Sequence, residues 1–474
     1  MKKLLFLSIA LLSLVSCSSD DNSTVEANAV TFTEASLNLN AAATPIELKF
    51  ATPTAASGTL TISFTETAVV SGADFTTLPA ATAKTVIVPF EKNVSSVSFT
   101  VNKLKEAIEG EVKNVVFTVT SSSINVVTGL NKSIQVNFNQ TASLGSVLAA
   151  TVGGPNQPNQ LYLDLSSGTS KSINRAAWDF GFSSGTDFRV IINGSVKMAV
   201  KKLETADITL AQVIDADVTV GAGSTAASNG YVDNPTGVLA GAGAGIGTAI
   251  AEISATDSEN KVYLVNMGAL VGTAVPEKGS VIVDGESRGW KKVRILRSGT
   301  GYKIQYADLA STTFTEKVIS KDAAFNFTFF SIASGNTVSV EPEKGKWDLN
   351  FTVFTNYVNM GAGDVSYGYA DFITTNSRGG AQVYQVLVAA GGSYTDFTKA
   401  KVVEDNFKVS ATDQRMIGAN WRNGGGPGTL PSIRTDRFYV VKDAAGNYYK
   451  VKLLTMLNEA GARGNVTLEY AILK

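Results

Sequence analysis

The chain has 474 residues, enough for two or three domains rather than one. Its 40 Lys and Arg against 41 Asp and Glu leave a net charge of -1, and no basic stripe occurs, which argues against nucleic acid as a partner. With no histidine and a single cysteine, Ser-His-Asp and Cys-His nucleophilic sites, histidine-based zinc sites and intrachain disulfides are all excluded. Asp and Glu remain, but no pair is marked by its context as the two carboxylates of a glycosidase, and we read the chain as a non-enzyme.

Lys2-Lys3 precede an apolar run from Leu4 to Val15, too short to span a bilayer, which reads as a secretory signal. Its end, Leu14-Val15-Ser16-Cys17, has the form of a bacterial lipobox. Residues 1–17 are therefore predicted to be a lipoprotein signal peptide ending at a lipidated Cys17. Several acyl chains on one terminus anchor a protein much more firmly than one. Residues 18–29 form an acidic tether that opens Ser18-Ser19-Asp20-Asp21. That opening is similar to the signal that sends Bacteroidota lipoproteins to the outer face of the outer membrane. The expected location is a lipid anchor in the outer membrane with the chain exposed on the cell surface.

From 30 to 140 apolar and polar residues alternate, as in Ile46-Glu47-Leu48-Lys49-Phe50 and Val115-Val116-Phe117-Thr118-Val119. Period-2 runs broken by Gly, Pro and Asn predict an antiparallel β-sandwich. The order of Gly72-Ala73-Asp74-Phe75, Val86 to Phe90, Phe99 and Phe117 resembles a Calx-beta or related immunoglobulin-like module. Some such modules bind Ca²⁺, but Glu66, Asp74, Glu91, Glu106, Glu109 and Glu111 are scattered, whereas Ca²⁺ needs converging oxygens. A spacer domain without metal is the expectation.

Residues 141–160 are rich in Gly, Pro, Asn and Gln and read as a linker. A first unit, 161–320, then begins with a strand-like run before Trp178-Asp179-Phe180-Gly181-Phe182. It closes with three alternating segments around Tyr263, Trp290 to Leu296, and Tyr302 to Ala307. A second unit, 321–474, repeats the order from Trp347-Asp348-Leu349-Asn350-Phe351 to Tyr439, Tyr448 to Leu454, and Tyr470-Ala471. The offsets agree (347 − 178 = 169, 439 − 263 = 176, 470 − 306 = 164), which indicates a duplication. The Gly- and Ala-rich stretch 241–247 lacks the Lys-Ser/Thr and the preceding strand of a phosphate loop and reads as an insertion. Trp178 and Trp347 read as core anchors, with any ligand held by loops between the strands. Trp421-Arg422-Asn423-Gly424-Gly425-Gly426-Pro427-Gly428 is either a ligand platform or a plain connector.

The Trp-Asp-x-x-Phe start, the strand ending near Asn376 and the closing pair Phe438 to Leu454 resemble the HmuY family, Bacteroidota surface lipoproteins whose founding members bind haem. The expected fold is all-β: an N-terminal β-sandwich followed by two related antiparallel HmuY-like units. The resemblance implies haem or a related porphyrin as ligand, host haemoproteins as its source and a TonB-dependent receptor as partner. Bis-histidine ligation is excluded by composition; the family is thought to use methionine as well, and Met and Tyr are workable axial ligands. The candidates are Met198, Met360 and Tyr384, with Tyr357, Tyr367 and Tyr369 as further tyrosines and Met267 and Met456 assigned to packing. Two alternatives remain open: a surface glycan-binding or adhesion lipoprotein, and a structural, partner-binding lipoprotein that holds no haem.

Overall fold

The computed structural model describes residues 28–39, 42–105, 107–108, 112–129, 131–138, 141–142, 145–221, 230–241, 243–359, 361, 363–425 and 429–474. Cys17 with its signal peptide, residues 18–27 of the tether, Met360, and Glu106, Glu109 and Glu111 lie outside the described residues. No described helix is long and apolar enough to cross a membrane. The chain forms two compact units, one from residues up to Leu104 with 112–138, the other chiefly 145–474.

The first unit is the expected sandwich. One sheet runs Val126–Thr128, Asn28–Phe32, Ala43–Phe50, Ser96–Lys103, Phe75–Leu78; the other runs Ser36–Asn38, Ser133–Asn137, Asn114–Ser122, Gly58–Thr67, Thr85–Phe90. Alternation sets the faces: Ile46, Leu48 and Phe50 are buried while Glu47 and Lys49 are exposed. Edge-to-face contacts of Phe117 with Phe75 and Phe99 help close the core between the sheets.

The second unit contains the duplication. Its first repeat supplies β1 (Gly145–Thr151), β2 (Asn159–Asp164), β3 (Thr169–Asn174), β4 (Phe180–Ser183), β5 (Val190–Ile192), β6 (Ala199–Lys202), β7 (Tyr263–Asn266), β8 (Trp290–Ser298) and β9 (Gly301–Ala307). It also supplies β10 (Thr315–Ile319), and the second supplies β11 (Phe327–Ser331), β12 (Asn336–Val338), β13 (Leu349–Asn359), β14 (Asp364–Thr375), β15 (Gln382–Leu387), β16 (Arg437–Lys442), β17 (Tyr448–Thr455) and β18 (Asn465–Ile472). The expected meanders form: β7, β8 and β9 are consecutive neighbours, as are β16, β17 and β18.

The repeats are woven together rather than set side by side. The four principal sheets run β1-β18-β17-β16-β15, β10-β9-β8-β7-β6, β3-β2-β13-β14 and β12-β11-β4-β5; the last two contain strands of both repeats, the first joins β1 to strands of the second repeat, and the second is built from the first repeat alone. The exchange is reciprocal in the last two: Leu163 pairs with Leu349 as Phe330 pairs with Phe180. The outer edges of the meanders are covered, that of β18 by β1 and that of β9 by β10. The stretch 141–160 is consequently not a mere linker: β1 lies within it and caps β18, and Gln157 and Gln160 are buried. The composition of β1, Gly-Ser-Val-Leu-Ala-Ala-Thr, has weak strand preference, and pairing with β18 overrides it.

Candidate functional site

The junction of the woven repeats is built twice from the same residues. The Asp179 N–H donates to the Phe330 carbonyl and the Asp348 N–H to the Leu163 carbonyl, each at 2.8 Å. The carboxylates then accept from Ile332 N (2.7 Å) and Leu165 N (2.8 Å), fastening each Trp-Asp motif to the opposite repeat. Asn193 and Asn376 close the loops: each side-chain amide donates to its tryptophan carbonyl, of Trp178 or Trp347, at 2.8 Å. Trp178 packs edge-on against Phe329, with centroids 4.8 Å apart, and Trp347 against Tyr162 at 4.9 Å.

Between these pairs lies a cavity of about 170 Å³, walled by β2, β5, β11, β13 and the end of β14 with the segment 232–239. Trp178 and Trp347 are core anchors as expected, 6% and 9% exposed, and both also line this cavity. The pseudo-symmetry fails at one informative point. The Trp178 indole N–H donates to Gln160 at 3.4 Å, whereas the residue at the matching place in the second repeat is Phe327. The buried Trp347 N–H therefore has no acceptor, and Asn350 Oδ1 and Thr375 Oγ1, also on the lining residues, have no partner among the described residues. Unpaired buried polar groups cost about 1–3 kcal/mol each and are uncommon in native proteins unless something else meets them.

Two carboxyls line the cavity, Asp233, pushed up to about 7 by burial, and Glu341. Burial pushes the Glu341 carboxyl up to about 7, although the N–H groups of Phe327 and Asn326 pull it back. Tyr162 is raised well above the usual phenol range by burial and then by Glu341. Arg378 stands at the rim, its guanidinium 5.2 Å above the Phe327 ring.

The sequence candidates are dispersed. Met198 is fully buried and lines the cavity. Tyr384 belongs to a separate core with Phe407 and Phe438, where its hydroxyl accepts from Val403 N at 3.3 Å. Met267 and Met456 are buried core residues. Trp421 is no platform: it is buried, and its indole N–H donates to the Asp371 carbonyl at 3.2 Å. Glu341, Asn350 and Thr375 carry no local sequence signal; only the register of β2 against β13 and of β4 against β11 exposes the Gln160/Phe327 mismatch.

An all-β unit whose repeats enclose an aromatic-walled cavity has the architecture of a ligand-binding protein. The chain belongs to the HmuY family, whose model (HmuY protein) matches residues 156–321 and 323–470, a family of binding proteins rather than enzymes. No curated protein matches the chain. Among solved structures it is similar to the apo form of the Calx CBD1 domain, at 10% identity and a TM-score of 0.20, covering 23% of this chain and 96% of that one. It is similar also to a two-domain protein of unknown function from Bacteroides fragilis, at 9% identity and a TM-score of 0.19, covering 38% and 70%.

Proposed function

We propose that this is a lipid-anchored protein of the outer-membrane surface that holds haem or a related porphyrin in the cavity between its repeats, without histidine. The observation that carries the reading is that aromatic cavity, with Met198 in its wall and an unpartnered Trp347 N–H. The lipobox ending at Cys17, the acidic tether and the family support the location.

The lining fits the ring better than its iron. Tyr162, Trp178, Phe329 and Trp347 offer apolar faces and edges to a flat ligand, and Arg378 suits a carboxylate at the rim. Among the described lining residues, Met198 alone offers an iron-ligating sulfur. The Tyr162 phenol is held protonated, against the phenolate that ligates ferric haem. An axial pair is therefore not assembled from the described residues. The cavity's 170 Å³ exceeds the roughly 150 Å³ that admits benzene and falls short of the roughly 300 Å³ at which drug-sized ligands are enclosed, so it accepts one edge of a macrocycle. Binding then rests on the ring, and the protein's part is to stack, donate one indole hydrogen bond and exclude water.

Titration of haemin and of iron-free protoporphyrin into the chain lacking residues 1–21 tests this, with tryptophan fluorescence and the Soret band as readouts. Both ligands are expected to bind within roughly tenfold of each other, a spread of about 1.4 kcal/mol. Met198→Leu, which keeps the volume, should alter the haemin spectrum and leave protoporphyrin affinity unchanged. Failure of both ligands to bind sinks the proposal.

A further inference from the structure

A second recess lies on the part of the β13–β14 hairpin that β4 and β5 lack. It has a volume of about 440 Å³ and is bordered by Asn356, Tyr369, Phe372, Gln385, Asp413 and Arg415 among others. An aromatic ladder runs along the hairpin. Phe354 stacks on Phe372 at 4.6 Å and 18°, Tyr369 leans on Phe372 at 5.8 Å, and Tyr367 stands edge-on to Tyr369 at 4.9 Å. The outermost rung, Tyr367, is 39% exposed.

Planar polar side chains complete the recess. Arg415 donates from Nε and Nη2 to the two oxygens of Asp413, at 2.9 and 2.8 Å, and from Nη1 to Asn356 Oδ1 at 2.9 Å. The guanidinium charge is thereby matched by a carboxylate, leaving an acidic or basic ligand no unpaired charge to meet among these residues. Gln385 accepts from Arg437 at 2.9 Å through its oxygen. Among the described residues, the amide nitrogens of Asn356, Gln385 and Asn420 donate to no protein group. A purely apolar occupant would strip water from these amides without replacing its hydrogen bonds.

We propose that this recess is a binding site for a neutral oligosaccharide, held by stacking on Tyr369 and by hydrogen bonds from its hydroxyls to the Asn356, Gln385 and Asn420 amides and the Asp413–Arg415 pair. A pyranose presents an apolar C–H face to an aromatic ring and pairs of adjacent hydroxyls at its edge, which planar amide, carboxylate and guanidinium groups meet two at a time. No charge of the ligand is needed, because the ion pair is internally satisfied. The site is separate from the porphyrin cavity: Phe354 is among the residues lining that cavity, while Phe372, its stacking partner, borders the recess.

The full chain, purified in detergent, is titrated calorimetrically with maltohexaose, cellohexaose, xylohexaose and mannohexaose and applied to a printed array of neutral and acidic glycans. At least one neutral glycan should bind. Tyr369→Ala should weaken it roughly tenfold or more and Gln385→Ala roughly fivefold, while Tyr369→Phe keeps the stacking and most of the affinity. Thermal unfolding of each variant checks that it is folded, and the Gln385 substitution stands in should Tyr369→Ala fail that check. The proposal is overturned if no neutral glycan binds, if only acidic glycans bind, or if folded Tyr369→Ala and Gln385→Ala bind as tightly as the parent chain. Porphyrin binding is expected to be unchanged by Gln385→Ala, so failure of either site leaves the other reading standing.

Discussion

The hairpins that follow the two Trp-Asp motifs start alike and end differently. In the first repeat β4 and β5 have 4 and 3 residues; in the second β13 and β14 have 11 and 12. Both are fixed at their roots by the same Asp, Trp and Asn contacts, so those shared residues serve the junction of the repeats. What the second hairpin adds beyond its root is what borders the polar recess. The comparison separates residues that hold the weave from residues free to make a site. It also shows that the cavity itself is lopsided: Phe327 stands where the first repeat has Gln160, and the buried Glu341 lines the cavity from the second repeat.

The largest expected asymmetry concerns Asp371, on the second hairpin alone. Its carboxylate is buried, accepts from Arg463 Nε at 2.7 Å and from Gln157 Nε2 at 2.6 Å. Asp371→Ala leaves the Arg463 charge buried and unpaired and should cost about 3–5 kcal/mol in urea unfolding. A loss below about 1 kcal/mol, the value of a surface pair, contradicts the assignment.

Glu341, on the second repeat's side of the cavity, should make stability depend on pH. Its carboxyl sits at about 7 in the folded chain, against 4.5 for an unperturbed glutamate. The folded protein thus holds the proton more tightly, so the stability from this group is full below pH 4.5 and is lost as pH rises through 7. Glu341→Gln should flatten that stretch of the pH profile of thermal unfolding. The same ionisation opposes an anionic porphyrin, and affinity for protoporphyrin should rise between pH 8 and pH 6 in the parent chain and less steeply in this variant, where Asp233, held at about 7 by burial, still titrates in the lining.

Asn193→Ala and Asn376→Ala test the shared root. Each strips hydrogen bonds from two buried or part-buried carbonyls, those of Arg175 and Trp178 or of Lys344 and Trp347, and each should cost about 2 kcal/mol. Near-equal losses support the equivalence of the two junctions; a gap of more than about 2 kcal/mol breaks it.

The smallest effect is the sharpest. Trp178→Phe loses the bond to Gln160 while Trp347→Phe loses none, so the first should be the less stable by about 1 kcal/mol. Porphyrin affinity should show the reverse order, because only the Trp347 N–H is free to meet a ligand. Equal affinities in the two variants count against that hydrogen bond.

The sequence by itself determined the all-β class, the sandwich and its faces, the duplication and the family. Each of these is written in short-range patterns: the alternation of Ile46 to Phe50, the Trp-Asp pairs 169 residues apart, and the closing tyrosine strands. Period-2 alternation says which face of a strand is buried, not which strand it pairs with. Tertiary structure alone decided that β1 caps β18, that the hairpins exchange between repeats, and that Trp421 lies in the core rather than on a loop. It alone set Gln160 and Phe327 in matching places and left the Trp347 N–H unmet among the described residues, in a cavity that Met198 also lines. Strand partners are chosen by which edges remain open once the long hairpins have formed, and that is a property of the whole weave.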